Sequence, residues 1–376
     1  MIYLDNSSTT RQADEVTALM SEVAREDFGN PSSLHRLGLS AQNRVTLARK
    51  QVAKALGAAP EEICFNSCGT EGDSTVISGV AESRRHRGNK IITSAVEHPA
   101  VLEACARLEQ KGFEVVRIPV DGECRIDMER YEAELDERTV LVSVMTVNNE
   151  TGAVMPVRRM AEAAHAKKIL FHTDAVQALG KIPLAGICAD FITVSGHKIH
   201  GPKGTGALYI RKGTHLPPLL PGGGQEKNMR SGTENVPGIA GLGEACRLLE
   251  RESAERMAAV RTYLLKGIRE QIPDIRVNSP EDGVASVLNI SFLGTRGEVL
   301  LHTLEEDEIY VSTGSACSSN KKGRSHVLSA MGLSPKEIEG AIRFSFSRYN
   351  TAEEMDVVLD RLTAAVSRFR RLGSFR

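Results

Sequence analysis

The chain has no tryptophan, and aromatic residues make up only 4% of its 376 positions. Stacking platforms for nucleic-acid bases are therefore scarce. It also lacks an excess charge of either sign: 47 basic residues stand against 48 acidic ones, a formal net charge of -1. That balance asks for neither a polyanion nor an anionic membrane surface as partner, so no direct nucleic-acid contact is expected. The basic run Arg368-Phe369-Arg370-Arg371 reads as a short solvated tail. No stretch of about 18 apolar residues occurs, so no membrane-spanning helix is expected. The opening MIYLDNSSTT has no cationic leader and apolar core, so no secretory signal is expected. The seven cysteines, at 64, 68, 105, 124, 188, 246 and 317, include no Cys-x-x-Cys pair. A zinc ribbon is thereby disfavoured. Scattered thiols in a long chain fit a reducing compartment, and the expectation is a cytoplasmic protein.

What is present is ordinary globular composition, 41% hydrophobic and 25% charged, in a chain long enough for a large core and a smaller one. Residues 40–57 carry Val45, Ala48, Val52, Ala55 and Leu56 on one helical face, with Gly57 as a stop. Short apolar runs follow: Ile63–Phe65, Lys90–Ala95, Glu114–Val120, Val140–Val147, Ile169–Thr173, Phe191–Val194 and Gly206–Ile210. Helix-length segments, including 99–111 and 156–167, separate many of them. This alternation predicts an α/β fold with a mostly parallel sheet covered on both faces, whose ligands gather at the carboxyl ends of the strands. After about residue 255 the pattern becomes a smaller α+β arrangement: helical 252–271, strand-like Ser286–Phe292, helix 296–305 and strand-like Ile309–Ser312. Ser334 and Thr351 each begin a capping box, the second opening an amphipathic helix.

Polar clusters stand just past the apolar runs. Ser67-Cys68-Gly69-Thr70-Glu71 can be an anion-holding helix start or an ordinary cap. Val96-Glu97-His98-Pro99 puts a histidine before a helix, where a structural role is equally open. Asn148-Asn149-Glu150-Thr151-Gly152 has turn composition. In His172-Thr173-Asp174-Ala175-Val176-Gln177, a carboxylate ends a buried-type strand and needs a cation or donors, unless it merely caps a helix. Ser195-Gly196-His197-Lys198 places a lysine after an apolar run, and lysine is rarely buried unless paired or used. In a closed pocket its amine can react with an aldehyde. His197 and His200 have no third partner at metal-ligand spacing, so no metal is expected. Arg230-Ser231-Gly232-Thr233 follows a glycine-rich loop. Gly314-Ser315-Ala316-Cys317 precedes Lys321, Lys322 and Arg324, cations that would raise the thiolate fraction of Cys317. Arg343 interrupts an apolar run, as a carboxylate binder or an internal ion-pair partner would.

The order of these motifs, from Tyr3-Leu4-Asp5-Asn6 to about residue 365, resembles the cysteine desulfurases within the class V aminotransferases of fold-type I. The resemblance implies pyridoxal 5'-phosphate as cofactor. Lys198 would carry it covalently and move the substrate's α-proton, and Asp174 would pair with its ring nitrogen. His98 would stack on the ring and handle the substrate thiol's proton. Gln177 would bond the phenolic oxygen, and Gly69, Thr70, Ser195 and His197 would hold the phosphate. Thr233 would reach the neighbouring subunit's phosphate, which implies a homodimer. Asn149 and Arg343 would bind the substrate carboxylate, with Asn6 and His35 at the entrance. Cys317 would take sulfur from L-cysteine as a persulfide, leave L-alanine, and pass the sulfur to an acceptor protein for iron–sulfur assembly or for tRNA or cofactor thiolation. The implied division is a large domain over 15–255 and a small one from 1–14 with 256–376. Cys68 departs from the glycine usual there and is expected to be structural. Ser74 stands where asparagine is common. Competing readings are a selenocysteine or cysteine-sulfinate lyase, for which Cys317 is superfluous, an aminotransferase, and a sulfur-relay protein that has lost its cofactor.

Overall fold

The computed structural model describes residues 1–251, 254–313 and 324–373. Among them are twelve strands: β1 (Ile2–Tyr3), β2 (Ile63–Asn66), β3 (Lys90–Ser94), β4 (Glu114–Ile118), β5 (Thr139–Ser143), β6 (Leu170–Asp174), β7 (Phe191–Ser195), β8 (Gly206–Ile210), β9 (Ile275–Val277), β10 (Val287–Phe292), β11 (Ile309–Tyr310) and β12 (Ala341–Ser345). Each of the seven apolar runs before residue 211 became one strand of a single sheet, ordered β2-β8-β7-β6-β5-β3-β4. Neighbours pair in parallel except at β8, which runs against both β7 and β2. The sheet is therefore mixed but mostly parallel, as the alternating pattern predicted.

β3, β5, β6 and β7 are buried at every position, which is why they read as continuous apolar runs rather than alternating ones. The Val140–Val147 run yields a strand only to Ser143. Beyond it Val144 N and Thr146 N still donate to His172 O and Asp174 O of β6, at 3.1 and 2.9 Å, and carry the chain on through Met145 and Val147 to the end of the sheet. A second sheet, β12-β10-β9, is antiparallel, and β1 pairs in parallel with β11. The buried apolar side chains around that second sheet include Leu4, Leu264, Ile290, Phe292, Phe344 and Leu362, brought together from both ends of the sequence.

The helix Arg36–Leu56 has the local signals its boundaries require. His35 Nδ1 accepts from Gly38 N at its start, and Gly57 closes it at φ 66, a left-handed conformation that favours glycine. The helix Val236–Leu248 lacks such clarity in the sequence, because Gly238, Gly241 and Gly243 lower helix propensity. Its glycines instead permit close packing. A β-carbon on Gly243 would lie 2.6 Å from the Ala48 backbone. Gly243→Ala adds about 1 kcal/mol of helix propensity but forces two buried backbones apart. We expect the overpacking to win, with a net loss of about 1–3 kcal/mol in urea unfolding.

Candidate active site

The carboxyl ends of β2, β3, β5, β6 and β7 face one edge of the sheet, and there a cavity of about 220 Å³ is lined by residues from each of them. Its lining also includes Ser7 and Ser8 from the start of the chain and Arg343 from β12.

Asp174 is the last residue of β6 and is 7% exposed. Its Oδ1 accepts from Val176 N at 2.8 Å. Burial pushes the carboxyl up to about 6, against that hydrogen bond and the nearby charge of Lys198. Lys198 closes a single helical turn, Gly196–Lys198, directly after β7. Its Nζ donates to Ser7 O at 2.6 Å and Ser8 O at 2.8 Å.

Cys68 precedes the helix Gly69–Arg84 in extended conformation and gives its first turn no side-chain cap. The backbone N–H groups there are the kind that bind anions. Gly69 sits so close to Val176 that a β-carbon would meet Val176 Cγ2 at 2.8 Å. His197 Nδ1 lies 3.1 Å from Thr9 Oγ1, and burial with the charge of Lys198 pushes it down to about 4. Ser195 is buried beside it.

His98 caps the helix Pro99–Glu109, its Nδ1 accepting from Ala100 N at 3.1 Å, so the neutral ring holds its proton on Nε2. Burial, then the charges of Lys198 and His326, push it down to about 4. The adjacent Glu97 is fully buried. Its carboxyl accepts from Met145 N at 3.0 Å and from Ser94 Oγ, tying the end of β3 to the segment after β5. Burial pushes it up to about 8.

Arg343 is both things its sequence context allowed. Its guanidinium donates to Asp5 Oδ1 at 2.8 Å, Ser8 Oγ at 2.7 Å and Asn149 O at 3.0 Å, yet it lines the cavity and its buried Nε has no hydrogen-bond partner.

Gln177 lines the cavity, with its amide donating to Ser7 O at 2.8 Å and accepting from Lys181 Nζ at 2.7 Å. Thr70 and Asn149 also line it. Asn6 is buried, bonded to Ser345 O at 2.8 Å, and lines a second, smaller cavity that shares Lys198. His35 lies outside the lining and caps its helix. Thr233 is exposed and lines a separate cavity of about 200 Å³ with Arg230 and Glu234. Cys68 lines the main cavity beside Gly69.

Cys317 lies outside the described residues. The residues flanking 314–323 are held by Arg343, which lines the cavity, and by Glu150 and Glu97, the chain neighbours of the lining residues Asn149 and His98. Ser312 exchanges two backbone hydrogen bonds with Arg343, at 3.1 and 2.7 Å. On the far side Ser325 Oγ donates to Glu150 Oε2 at 2.5 Å, and His326 Nε2 donates to Glu97 O at 2.8 Å.

Sequence reasoning missed Asp73, Ser7 and Ser8. Asp73 is buried in the cavity wall, with His172 Nε2 3.6 Å from its Oδ1. Burial and the charge of Asp174 hold its carboxyl well above the usual range, and burial pushes His172 down to about 3. Its signal was available: Asp73, Val76, Ile77 and Val80 form one buried helical stripe, with an acid among apolar residues. Ser7 and Ser8 act through backbone carbonyls, which no side-chain pattern reveals. Among the described residues no three His, Cys, Asp or Glu side chains group to hold a metal ion, and no helix is long and apolar enough to cross a membrane.

The sequence matches the aminotransferase class-V family over residues 2–358. It is 43% identical to the cysteine desulfurase IscS of Methanosarcina thermophila over 378 residues, 99% of this chain and 93% of that protein. A solved structure described as a NifS-like protein has a TM-score of 0.91 at 40% identity, covering 97% of this chain and 99% of that one. Another, described as SspA in complex with cysteine, has a TM-score of 0.83 at 33% identity, covering 93% and 100%.

The geometry fixes the state of His98 in the ligand-free protein. Imidazole NMR should show it neutral above pH 6, with a midpoint near 4. In Lys198→Ala the midpoint should move toward 6.5 without reaching it, because burial is the larger cause. A His98 midpoint between 6 and 7 in the unaltered protein contradicts the assignment.

Proposed function

The chain belongs to the class-V aminotransferase family and, within it, to the cysteine desulfurases, and we propose that it works with pyridoxal 5'-phosphate and passes the sulfur on through Cys317. The observation that carries the reading is the juxtaposition, in one cavity, of the Lys198 amine, the buried carboxylate of Asp174 and the uncapped helix start at Gly69. That donor set fits the cofactor: an amine for its aldehyde, a carboxylate for its ring nitrogen, and backbone N–H groups for its phosphate. When bound, the cofactor supplies a ring that takes up electron density from the substrate's α-carbon.

The chain's residues then divide the work. Lys198 would anchor the cofactor and, with its amine free, would take the substrate's α-proton at Nζ. Asp174 would pair as a carboxylate with the ring nitrogen. Gly69, Thr70, Ser195 and His197 hold the phosphate, joined by Thr233 of a second copy in a homodimer. Gln177 would bond the phenolic oxygen through its amide. His98 would stand against the ring and, with Nδ1 engaged by Ala100 N, would offer its Nε2–H as a hydrogen-bond donor to the substrate sulfur. Arg343 and Asn149 orient the substrate carboxylate, with the unpartnered Nε of Arg343 and its planar fork suited to that group. Asn6 and His35 line the approach. The thiolate of Cys317 forms a bond to the substrate sulfur as the carbon–sulfur bond breaks. The electron pair of that bond goes to the substrate carbon, which takes a proton and leaves as L-alanine. Cys317 is left as a persulfide for an acceptor protein, in iron–sulfur assembly or in tRNA or cofactor thiolation.

The anchors at Ser312 and Ser325 support access for Cys317. Ser312 is backbone-paired with Arg343, and five residues of chain reach at most about 17 Å. We place the protein in the cytoplasm, and divide it into a large domain over 15–255 and a small one from 1–14 with 256–376. The separate apolar core drawn from Leu4 and residues 260–366 supports the division.

The deciding test incubates the purified protein with L-cysteine and a reductant. Alanine and sulfide should appear in equal amounts, and Cys317→Ser should yield little of either. Full output from Cys317→Ser would instead support a selenocysteine or sulfinate lyase. In the same assay Arg343→Ala should raise KM for cysteine by about 10- to 100-fold, as loss of hydrogen bonds to a charged group does, and Arg343→Lys should recover only part. An unchanged KM removes Arg343 from the substrate site.

A further inference from the structure

Among the described residues, the loop before Thr233 holds the only run of three consecutive non-glycine residues at positive φ. Gly224, Glu226, Lys227 and Asn228 stand at φ 92, 45, 57 and 65. Three of these are not glycine, and a run of left-handed L-residues is disfavoured at every step. Such a conformation persists only where its surroundings over-determine it, and it tends to mark a functional position.

The surroundings here are specific. Glu226 points inward, its side chain 3% exposed. Its carboxylate takes both arms of the Arg49 guanidinium, at 2.8 and 2.5 Å, and the backbone N–H of Phe65 at 2.8 Å. Arg49 donates further to Ile63 O at 2.6 Å, and its guanidinium lies 4.7 Å from the centre of the Phe65 ring. A planar fork meeting a carboxylate in this way fixes orientation as well as distance. The loop is thus bolted to β2, the strand that leads into the helix start at Gly69.

The residues between Glu226 and Thr233 are fixed in turn. Arg230 Nε donates to Glu71 Oε1 at 3.0 Å, in the first turn of that same helix, and Gln225 Oε1 accepts from Gly232 N at 3.1 Å. Thr233, the next residue, projects to the surface. A loop that only connected two elements would have no need of a left-handed run held by a buried ion pair. This one delivers Thr233 at a set position relative to the helix start.

We propose that Arg49 and Glu226 are positioning residues for the cofactor phosphate of the partner subunit, acting through Thr233. The inference rests on the reading of Thr233 in trans given above. It adds that the loop's strain and its buried ion pair exist to aim that side chain.

Mixed dimers of separately tagged chains test it, read by the rate at which the protein loses its cofactor absorbance after dilution. In each, one chain carries Lys198→Ala, so only the other holds the cofactor covalently. In the first dimer Glu226→Gln is on the cofactor-holding chain. In the second it is on the Lys198→Ala chain. Release should match the unaltered loop in the first and be about tenfold faster in the second, the value of one hydrogen bond to a charged group. Arg49→Lys keeps the charge and loses the fork, so it should give the same pattern if Glu226→Gln fails to assemble. Thr233→Ala, placed the same two ways, separates the two layers of the argument. If Thr233→Ala speeds release only in the second dimer while Glu226→Gln and Arg49→Lys do not, the positioning role is wrong and the trans reading stands. If Thr233→Ala does not speed release in the second dimer, the trans reading falls and takes this inference with it.

Discussion

A carboxylate buried at the end of a strand organises the rest of the site. Asp174 retains one backbone N–H bond and the field of Lys198 as its compensation. A buried charge with so few partners costs several kcal/mol. Asp174 keeps its place because β6 is fixed between β5 and β7 and cannot turn its last residue to solvent. The fold therefore holds a negative charge against a cavity. The pyridinium of the proposed cofactor is the group that would complete it.

The same cavity is closed by residues remote from the large sheet. Ser7 and Ser8 hold the Lys198 amine through carbonyl oxygens, while Asp5 and Ser8 hold Arg343. The start of the chain is thus a strap between the reactive lysine and the arginine of the second sheet. Its own position is set by β1 pairing with β11 and by Asn6 bonding to Ser345 O. Packing of the second sheet and geometry of the lysine are consequently linked through four or five residues.

How much of this could be read in the sequence follows from where each interaction is encoded. Strands buried on both faces leave continuous apolar runs, so β3, β5, β6 and β7 were legible, the partly exposed β4 showed by its β-branched Val115, Val116 and Ile118, and the polar clusters ending five strands became the cavity rim. Capped helices were legible for the same local reason: Ser334 accepts from Glu337 N, and His35 caps Gly38. The helix Val236–Leu248 was not, because its glycines answer to Ala48, Gln51 and Met20 across the helix interface and not to its own backbone. The pairing of Arg49 with Glu226 spans 177 residues and follows no spacing rule. The resemblance named Thr233, but the distance between it and the main cavity within one chain became visible only in three dimensions.

Electrostatics supplies the last connection. One amine, Lys198, acts on three groups: it favours the ionised form of Asp174 and disfavours protonation of His98 and His197. For the histidines burial acts in the same direction, so both rings stay neutral around a charged lysine. A reaction that consumes the charge of Lys198 weakens all three effects at once. The proton affinities of Asp174, His98 and His197 then rise together. Asp174 would drift toward protonation unless a new positive charge appeared beside it, and a protonated ring nitrogen is such a charge. At the same moment protonation of His98 would become less unfavourable, although the added proton would have to displace the Ala100 N–H bond at Nδ1, since Nε2 already carries one. The coupling makes proton traffic in this site a property of the amine's state and not of any one histidine.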